Sequence, residues 1–254
     1  MSSVVSTERQ KQFSVLGVAV DLLDNYVDAL VQRVSDREGT HVVTLNSEMT
    51  MQAKRDPKLA DIIDQAELVI PDGAGIVLYL KLYGRSIRRC PGIELSAALL
   101  EKIAEMSNTS VFFYGGAPGI VDKAAKKWTD RCPNLDIVGA INGFVKGEEM
   151  DKLKRMLQET QPNVVFVGLG VPRQEYWIAE NRHLCPQSVW IGVGGSFDIW
   201  SETKQRAPKW LCDNNLEWTY RLYQEPFRWR RMLDLPKFAG LSLLERFSLL
   251  NFSR

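Results

Sequence analysis

Short apolar runs rich in β-branched residues alternate along most of the chain with stretches whose apolar side chains recur at helical spacing. The runs predict strands at residues 13–20, 41–46, 110–114, 135–141, 163–170 and 188–195, and a further one that begins at Leu68. Strands that alternate with helices and end in glycine turns are typical of a doubly wound, mostly parallel sheet. We therefore predict an α/β domain over residues 1–200, with a strand order that the pattern leaves open.

The pattern changes after Trp200. Residues 208–223, 226–233 and 241–250 predict amphipathic helices with no strand between them, so residues 201–254 form a helical C-terminal appendage. Basic side chains alternate there with aromatic ones, namely Trp210, Trp218, Tyr220, Phe227, Trp229, Phe238 and Phe247. This mixture suits a membrane interface, and it equally suits a helical cover that packs its aromatic side chains on the core. Both interpretations stay open.

Charge is distributed unevenly along the chain. From Lys204 onward there are ten basic and five acidic residues, a balance of +5, which leaves −4 for the remainder of a chain whose net charge is +1. The tail is therefore expected to meet an anionic partner, either phosphate or a lipid surface. The polar N-terminus, the four widely spaced cysteines and the lack of a long apolar segment predict a cytoplasmic protein, and any contact with a membrane would be from one side.

Asp72 follows the apolar run that begins at Leu68 and stops at Pro71, and two glycines lie just beyond it. This order places a carboxylate at the C-terminal end of a strand, where open α/β sheets bind their ligands. Asp72 is therefore a candidate catalytic residue. The alternative is that its side chain caps the helix that begins nearby.

Further polar residues are predicted at the same edge of the sheet. Thr44 and Asn46 share one face of their strand at its exit, although Asn46 also fits a helix cap and Thr44 a residue chosen for β propensity. Arg85, Arg88 and Arg89 precede a helix start and could bind a diphosphate, or they could form an ordinary solvated charge run.

Glycines at the strand exits could bring backbone N–H groups to a nucleotide: Gly115, Gly116, Gly168, Gly170, Gly194 and Gly195. No Asp-x-Asp pair is present to place a divalent cation under a diphosphate. We therefore expect a site without metal or cofactor, in which arginines and helix N-termini stabilise negative charge. The two histidines, His41 and His183, lie at a strand start and in a polar helix, positions that do not favour catalysis.

Six motifs occur in order: Thr-Leu-Asn at 44–46, Pro-Asp-Gly at 71–73, Arg-Cys-Pro-Gly at 89–92, Gly-Leu-Gly-Val-Pro-Arg-Gln-Glu-Tyr-Trp at 168–177, Gly-Gly-Ser-Phe-Asp at 194–198 and Arg-Ala-Pro-Lys-Trp at 206–210. With these motifs the chain resembles the WecG/TagA/CpsF family of bacterial glycosyltransferases, from about residue 13 to at least residue 231. The resemblance implies a Rossmann-like sheet of the GT-E type with a C-terminal appendage that meets the membrane.

The resemblance also implies a reaction. Members of the family transfer an N-acetylmannosamine-type sugar, with inversion, from a UDP donor to a sugar linked to undecaprenyl diphosphate, at the cytoplasmic face of the membrane. The products serve the synthesis of cell-surface polysaccharides. A UDP-sugar and a polyprenyl-diphosphate-linked acceptor are thus the expected partners, and exposed apolar residues leave room for a homo-oligomer.

By motif match, Asp72 resembles the general base of the family. The other implied substrate-binding residues are Thr44, Asn46, Arg89, Arg173, Gln174, Asp198 and the glycines Gly115, Gly116, Gly168, Gly170 and Gly195. The residues implied for the acceptor diphosphate and the membrane are Arg206, Arg221, Arg228 and Arg231. One departure is visible, because Arg173 stands where the family often has lysine. The positive charge is kept.

Three other functions are weighed against this one. A nicotinamide-dependent oxidoreductase would share the glycine turns, but Arg173 falls where the third glycine of the dinucleotide fingerprint belongs. A non-catalytic, membrane-anchored scaffold that binds a nucleotide-sugar would not need Asp72. A nucleic-acid-binding protein is disfavoured because the basic residues lie among tryptophans in a short tail and no DNA-reading motif is present.

Overall fold

The structure, a computed structural model, describes residues 11–87, 89–214, 216–226 and 229–252. Within these residues the strands are β1 (Lys11–Val15), β2 (Val18–Leu22), β3 (Thr40–Leu45), β4 (Leu68–Pro71), β5 (Ser110–Gly115), β6 (Asp136–Ile141), β7 (Val164–Gly168) and β8 (Val189–Gly192). The last six form one sheet in the order β4-β3-β8-β7-β5-β6, and every neighbouring pair is parallel. The predicted α/β fold is confirmed.

Helices cover both faces of this sheet. Alternate residues of each strand point to opposite faces, so Val42 and Phe113 belong to one apolar cluster, whereas Val43 and Phe112 pack on the other side. The helices are α1 (Tyr26–Ser35), α2 (Ser47–Ala53), α3 (Pro57–Asp64), α4 (Ala74–Leu82), α5 (Gly92–Ala104), α6 (Ile120–Arg131), α7 (Glu148–Thr160), α8 (Arg173–Asn181), α9 (Ser196–Trp200), α10 (Lys209–Asp213), α11 (Glu217–Gln224), α12 (Trp229–Met232) and α13 (Asp234–Phe252).

The prediction of a single strand at residues 13–20 is wrong, because the chain forms two strands there. Strands β1 and β2 make an antiparallel hairpin with a sheet of its own, because Leu16 and Gly17 both adopt positive φ and reverse the chain. The hairpin lies against the edge strand β4, where the Asp21 carboxylate accepts a hydrogen bond from the Val69 N–H at 2.8 Å. It thus satisfies a backbone donor at the edge of the main sheet.

The C-terminal helices both cover the core and expose aromatic residues. The predicted helix at 208–223 is divided into α10 and α11, and α13 packs against α2 and α4 with Phe238 in the core. Tyr223, Trp210 and Phe247 are exposed. The helical cover of the core is thus present, whereas the membrane interface and the domain boundary at residue 200 stay predictions. Among the residues that the structure describes, no helix has the length and apolar composition to cross a membrane.

Candidate active site

A cavity of about 320 Å³ opens at the carboxyl ends of β3, β4, β7 and β8 and is closed on one side by residues of the C-terminal helices. Parallel strands end at the same edge of a sheet, which is why residues distant in sequence meet there. The predicted site residues that line it are Thr44, Asn46, Asp72, Arg89, Gly170, Gln174, Gly195, Asp198, Arg206, Arg221 and Arg231. Gly115, Gly116, Gly168 and Arg173 do not line it, and Arg228 lies outside the described residues.

Asp72 stands at the end of β4, and its backbone N–H donates a hydrogen bond to the Leu45 carbonyl at 2.8 Å. The cap residue of α4 is Gly73, and no side chain makes a cap hydrogen bond there. The Asp72 side chain therefore does not cap α4, and the residue lines the cavity. Burial raises the pKa of this carboxyl to about 6, although the Arg89 guanidinium and the Gly92 N–H act in the opposite direction.

Thr44 and Asn46 flank the same opening from the end of β3. The Asn46 Oδ1 accepts a hydrogen bond from the Met49 N–H at 2.9 Å and so caps α2. Asn46 therefore both lines the cavity and caps α2. Thr44 is buried, and a Cβ at Gly92 would stand 3.1 Å from its methyl carbon, so the start of α5 packs closely on it.

Gln174 lines the cavity and binds backbone groups of two glycine turns, and its role in substrate binding stays a prediction. Its Oε1 accepts hydrogen bonds from the N–H of Gly170 at 3.2 Å and of Gly194 at 2.9 Å. Its Nε2 donates to Glu175 at 2.9 Å, and Glu175 is joined to His41 at 2.8 Å. Sequence reasoning missed this buried pair, since only the spatial neighbourhood of β3 and α8 brings His41 to Glu175.

The arginines of the cavity lie close to acidic residues that sequence reasoning also missed. Arg89 pairs with Glu217 of α11 at 2.5 Å, and Arg206 pairs with Glu94 of α5. Arg231 lies 3.4 Å from Glu48. The Nε atoms of Arg89 and Arg206 are buried and have no hydrogen-bond partner. The site thus contains buried cationic donors that an anionic ligand could satisfy.

A lysine completes the cationic lining. Lys204 pairs with Glu225 at 2.6 Å and with Asp198 at 3.3 Å, and all three residues line the cavity. No motif marked Lys204, because its neighbours come from α9 and from the segment before α12. Asp198 therefore lines the cavity with its carboxylate paired to Lys204.

The glycines that lie off the cavity permit close backbone packing. A Cβ at Gly115 would stand 2.4 Å from the Gly168 carbonyl oxygen, and the Gly116 N–H donates to that oxygen at 3.0 Å. A Cβ at Gly168 would meet the Phe197 ring at 2.6 Å. Arg173 is exposed, and its guanidinium donates to the Leu169 carbonyl at 2.7 Å. These residues shape the neighbouring strand exits, and their roles in nucleotide binding stay predictions.

The part of the chain that the structure describes contains no group of three or more His, Cys, Asp or Glu side chains placed to hold a metal ion. The buried donors at the cavity are guanidinium groups instead. Independence from metal ions stays a prediction that requires an assay.

Comparisons with known proteins agree with the motifs. The model of the glycosyl transferase WecG/TagA/CpsF family matches residues 13–251. A protein of Bacillus spizizenii named N-acetylglucosaminyldiphosphoundecaprenol N-acetyl-beta-D-mannosaminyltransferase is 35% identical over 226 residues, which are 87% of each chain. A protein of the same name from Bacillus subtilis is 34% identical over 225 residues, which are 88% of this chain and 87% of the relative.

Proposed function

This chain belongs to the WecG/TagA/CpsF family of glycosyl transferases, and we propose that it moves an N-acetylmannosamine-type sugar from a UDP donor to N-acetylglucosamine on undecaprenyl diphosphate. That the chain is a glycosyltransferase follows from the family and from the names of its relatives. The observation that carries the finer proposal is Asp72, a carboxyl group with a raised pKa in a cavity lined by arginines.

Asp72 is proposed as the general base. A base must be largely deprotonated at working pH and still attract a proton strongly, and a pKa of about 6 meets both conditions near neutrality. The carboxylate would accept the proton of the acceptor hydroxyl as its oxygen attacks the anomeric carbon of the donor. In-line attack inverts that carbon, and UDP departs from the opposite face.

Arginines are proposed to stabilise the departing diphosphate. Guanidinium groups present forked donors that match phosphate oxygens, and the buried Nε atom of Arg89 is available for that purpose. Arg206, Arg221 and Arg231 line the same cavity from the tail and are the proposed contacts of the acceptor diphosphate, together with Arg228. Positive charge fixed by the fold would allow transfer without a divalent cation.

Peripheral association with the inner face of the plasma membrane is part of the proposal. The acceptor named for both relatives is linked to undecaprenol, which resides in lipid. Exposed apolar side chains occur along the tail, including Trp210, Tyr223, Trp229, Leu244 and Phe247. Aromatic and aliphatic residues interspersed with arginine favour the headgroup region. The tail would thus bring the cavity to its lipid-linked acceptor.

The test is release of UDP from UDP-N-acetylmannosamine with an undecaprenyl-diphosphate-linked N-acetylglucosamine acceptor, measured in EDTA. Asp72→Asn should lower turnover by about 10²- to 10⁴-fold, because general-base catalysis is lost. Wild-type kcat/KM should rise with pH through about 6, as Asp72 loses its proton.

The matched control is Asp213→Asn, which neutralises an exposed aspartate of α10 that does not line the cavity. Its turnover should equal that of the wild type. Equal turnover of Asp72→Asn would contradict the role of Asp72. An inactive wild type that still binds the donor would favour the alternative of a nucleotide-sugar-binding scaffold.

A further inference from the structure

A hydrogen-bonded chain of buried polar side chains lies behind the cavity and has no role in the chemistry proposed above. His41 and Glu175 are 2% and 0% exposed, and their side chains are joined by a hydrogen bond of 2.8 Å. The other oxygen of Glu175 accepts from the Gln174 Nε2 at 2.9 Å. The three side chains therefore form one line from β3 through α8 to the cavity.

The line ends on the backbone of two glycine turns. Gln174 Oε1 accepts from the N–H groups of Gly170 and Gly194, both of which have positive φ and both of which line the cavity. These turns follow β7 and β8. A Cβ at Gly192 would stand 2.2 Å from Gln174 Nε2 and 2.7 Å from Glu175 Oε1. Only glycine at this position, the end of β8, therefore leaves room for the side chains of Gln174 and Glu175.

Glu175 determines which way the Gln174 amide faces. An amide has a donor end and an acceptor end, and only one orientation presents its oxygen to the two N–H groups. Because Glu175 accepts at the donor end, rotation of the amide would set NH₂ against N–H at one end and oxygen against oxygen at the other. Such buried polar groups destabilise a core when they are unsatisfied, but specify one arrangement when every partner is present.

We propose that His41 and Glu175 are positioning residues for the nucleotide-sugar donor, because they hold Gln174 in the orientation that fixes the Gly170 and Gly194 turns. The N–H groups of both turns are bound to Gln174, so the turns offer a nucleotide close approach to a backbone without side chains rather than these two donors. The donor is therefore the substrate that these turns contact, whereas the acceptor reaches the cavity from the aromatic tail. The assignment of the ligand as donor rests on the proposed function.

The experiment exchanges the amide of Gln174 and the carboxylate of Glu175. Gln174→Glu sets two carboxylates against each other and should weaken binding of UDP by about 10- to 100-fold, the range expected for a buried hydrogen bond that is lost. The double variant Gln174→Glu/Glu175→Gln reverses donor and acceptor. The carboxylate introduced at 174 accepts from both turns and from the new amide, whose oxygen accepts from His41. UDP affinity should return to within about threefold of the wild type.

His41 is tested by a second pair of variants. His41→Leu should weaken UDP binding and raise the donor KM at least about fivefold with kcat nearly unchanged, because a positioning role acts on donor binding. His41→Gln keeps a nitrogen near the position of Nε2 and should restore most of the affinity. His183→Leu, which removes the other histidine of the chain from outside the cavity, is the matched control.

UDP binding is measured by calorimetry on the full chain, and thermal unfolding is measured in parallel. Weaker binding by Gln174→Glu that the double variant restores would support the inference. Variants that lose thermal stability but bind UDP as the wild type does would overturn it, since the line would then serve the fold alone. Absence of UDP binding by the wild type would overturn both this inference and the proposed donor.

Discussion

The basicity of Asp72 is set by competing effects around one carboxyl group. Burial raises its pKa, while the Arg89 guanidinium, the Gly92 N–H and Arg221 lower it, and Glu217 raises it slightly. Arg89 is itself paired with Glu217, so an anionic ligand that displaced Glu217 would alter the field at Asp72. Proton affinity and anion binding are therefore coupled at this residue.

Substitution of Asp72 should affect stability in a pH-dependent way. Its pKa is raised from 3.8 to about 6, so the folded chain binds the proton more tightly than the unfolded chain, and wild-type stability falls as pH rises between these values. Asp72→Asn removes this effect and should raise the free energy of unfolding at pH 8 by about 1 to 3 kcal/mol, and by less at pH 5.

Urea unfolding of both proteins at the two pH values measures this difference. Asp213→Asn, an exposed substitution, should show no such dependence on pH. If Asp72→Asn lowered the free energy of unfolding at pH 8, the carboxylate would be a net stabilising group, contrary to the direction of its pKa shift.

Some site residues could be predicted from sequence and others could not, for a physical reason. Thr44 lies near the end of β3, Asn46 and Asp72 directly follow β3 and β4, and the strands of a parallel sheet all end at one edge. Glu217 meets Arg89 only when the tail packs on the sheet domain, and Lys204 meets Glu225 only when the tail folds back on itself. A docking surface leaves no local spacing pattern in the chain.

Helix α11 contributes both signs of charge to the cavity. Glu217 and Arg221 are four residues apart, which places them on one face of the helix, and both line the cavity. The carboxylate pairs with Arg89, a predicted ligand of the diphosphate. Helix α11 therefore supplies Arg221, a proposed anion-binding residue, and also Glu217, which competes with an anionic ligand for Arg89.

Neutralising Glu217 should strengthen the binding of anions. In Glu217→Gln the Arg89 guanidinium loses its charged partner, so UDP should bind about two- to fivefold more tightly at low salt, with a smaller gain at high salt. Calorimetric titration measures the change. Glu101→Gln, which removes the partner of Arg131 outside the cavity, is the control and should bind UDP as the wild type does. Unchanged affinity of Glu217→Gln would show that Glu217 does not compete.

Helix α13 is attached to the sheet domain by packing and by charge. Phe238 is 3% exposed and lies 6.1 Å from the Tyr79 ring, centroid to centroid. Asp234 accepts two hydrogen bonds from the Arg55 guanidinium, at 2.7 and 2.8 Å. Because α13 also packs against α2, this tail helix supports the helix that Asn46 caps.

Removing the Phe238 ring should therefore destabilise the whole chain. Phe238→Ala leaves a cavity in the core and is expected to lower the free energy of unfolding by about 3 to 5 kcal/mol. Phe247→Ala is the matched control, because that ring is 62% exposed and its loss should change stability by less than about 0.5 kcal/mol. Urea unfolding followed by far-UV circular dichroism compares them. Similar stability of the two variants would mean that α13 is not part of the core.

The elements themselves show what pattern reasoning can detect. Strands of the main sheet were predictable because apolar β-branched runs are buried on both faces. The hairpin of β1 and β2 was missed because Leu16 takes a positive φ of 49°, which leucine rarely adopts, and because the single Gly17 lies inside an apolar run that was assigned to one strand. The break between α10 and α11 was missed because amphipathic spacing continues across it.

At the scale of the whole molecule, exposed apolar residues and excess positive charge are concentrated in the tail. Leu244 and Phe247 of α13 are 66% and 62% exposed. Phe144, in the loop after β6, is equally exposed at 67% but lies outside the tail. Phe144 therefore serves as a comparison for Leu244 and Phe247, because it is as exposed as they are but has no basic tail around it. Self-association through such residues stays a prediction.

Membrane binding should depend on the tail surface. Leu244→Ser/Phe247→Ser is expected to reduce co-sedimentation with vesicles that contain anionic phospholipid by at least about tenfold, because insertion of two apolar side chains is lost. Phe144→Ser removes a comparably exposed ring and should sediment as the wild type does. Equal loss in both variants would indicate nonspecific adsorption, and no loss in either would remove α13 from the membrane-binding surface.

Strand β4 forms one edge of the main sheet, and the Asp21 carboxylate of the adjoining hairpin occupies the backbone N–H of Val69 there. Free N–H and C=O groups at a sheet edge are a template on which another chain can add a strand. A carboxylate at this position satisfies the donor and also repels an approaching backbone carbonyl. The hairpin thus covers a sheet edge on which another chain could otherwise add a strand.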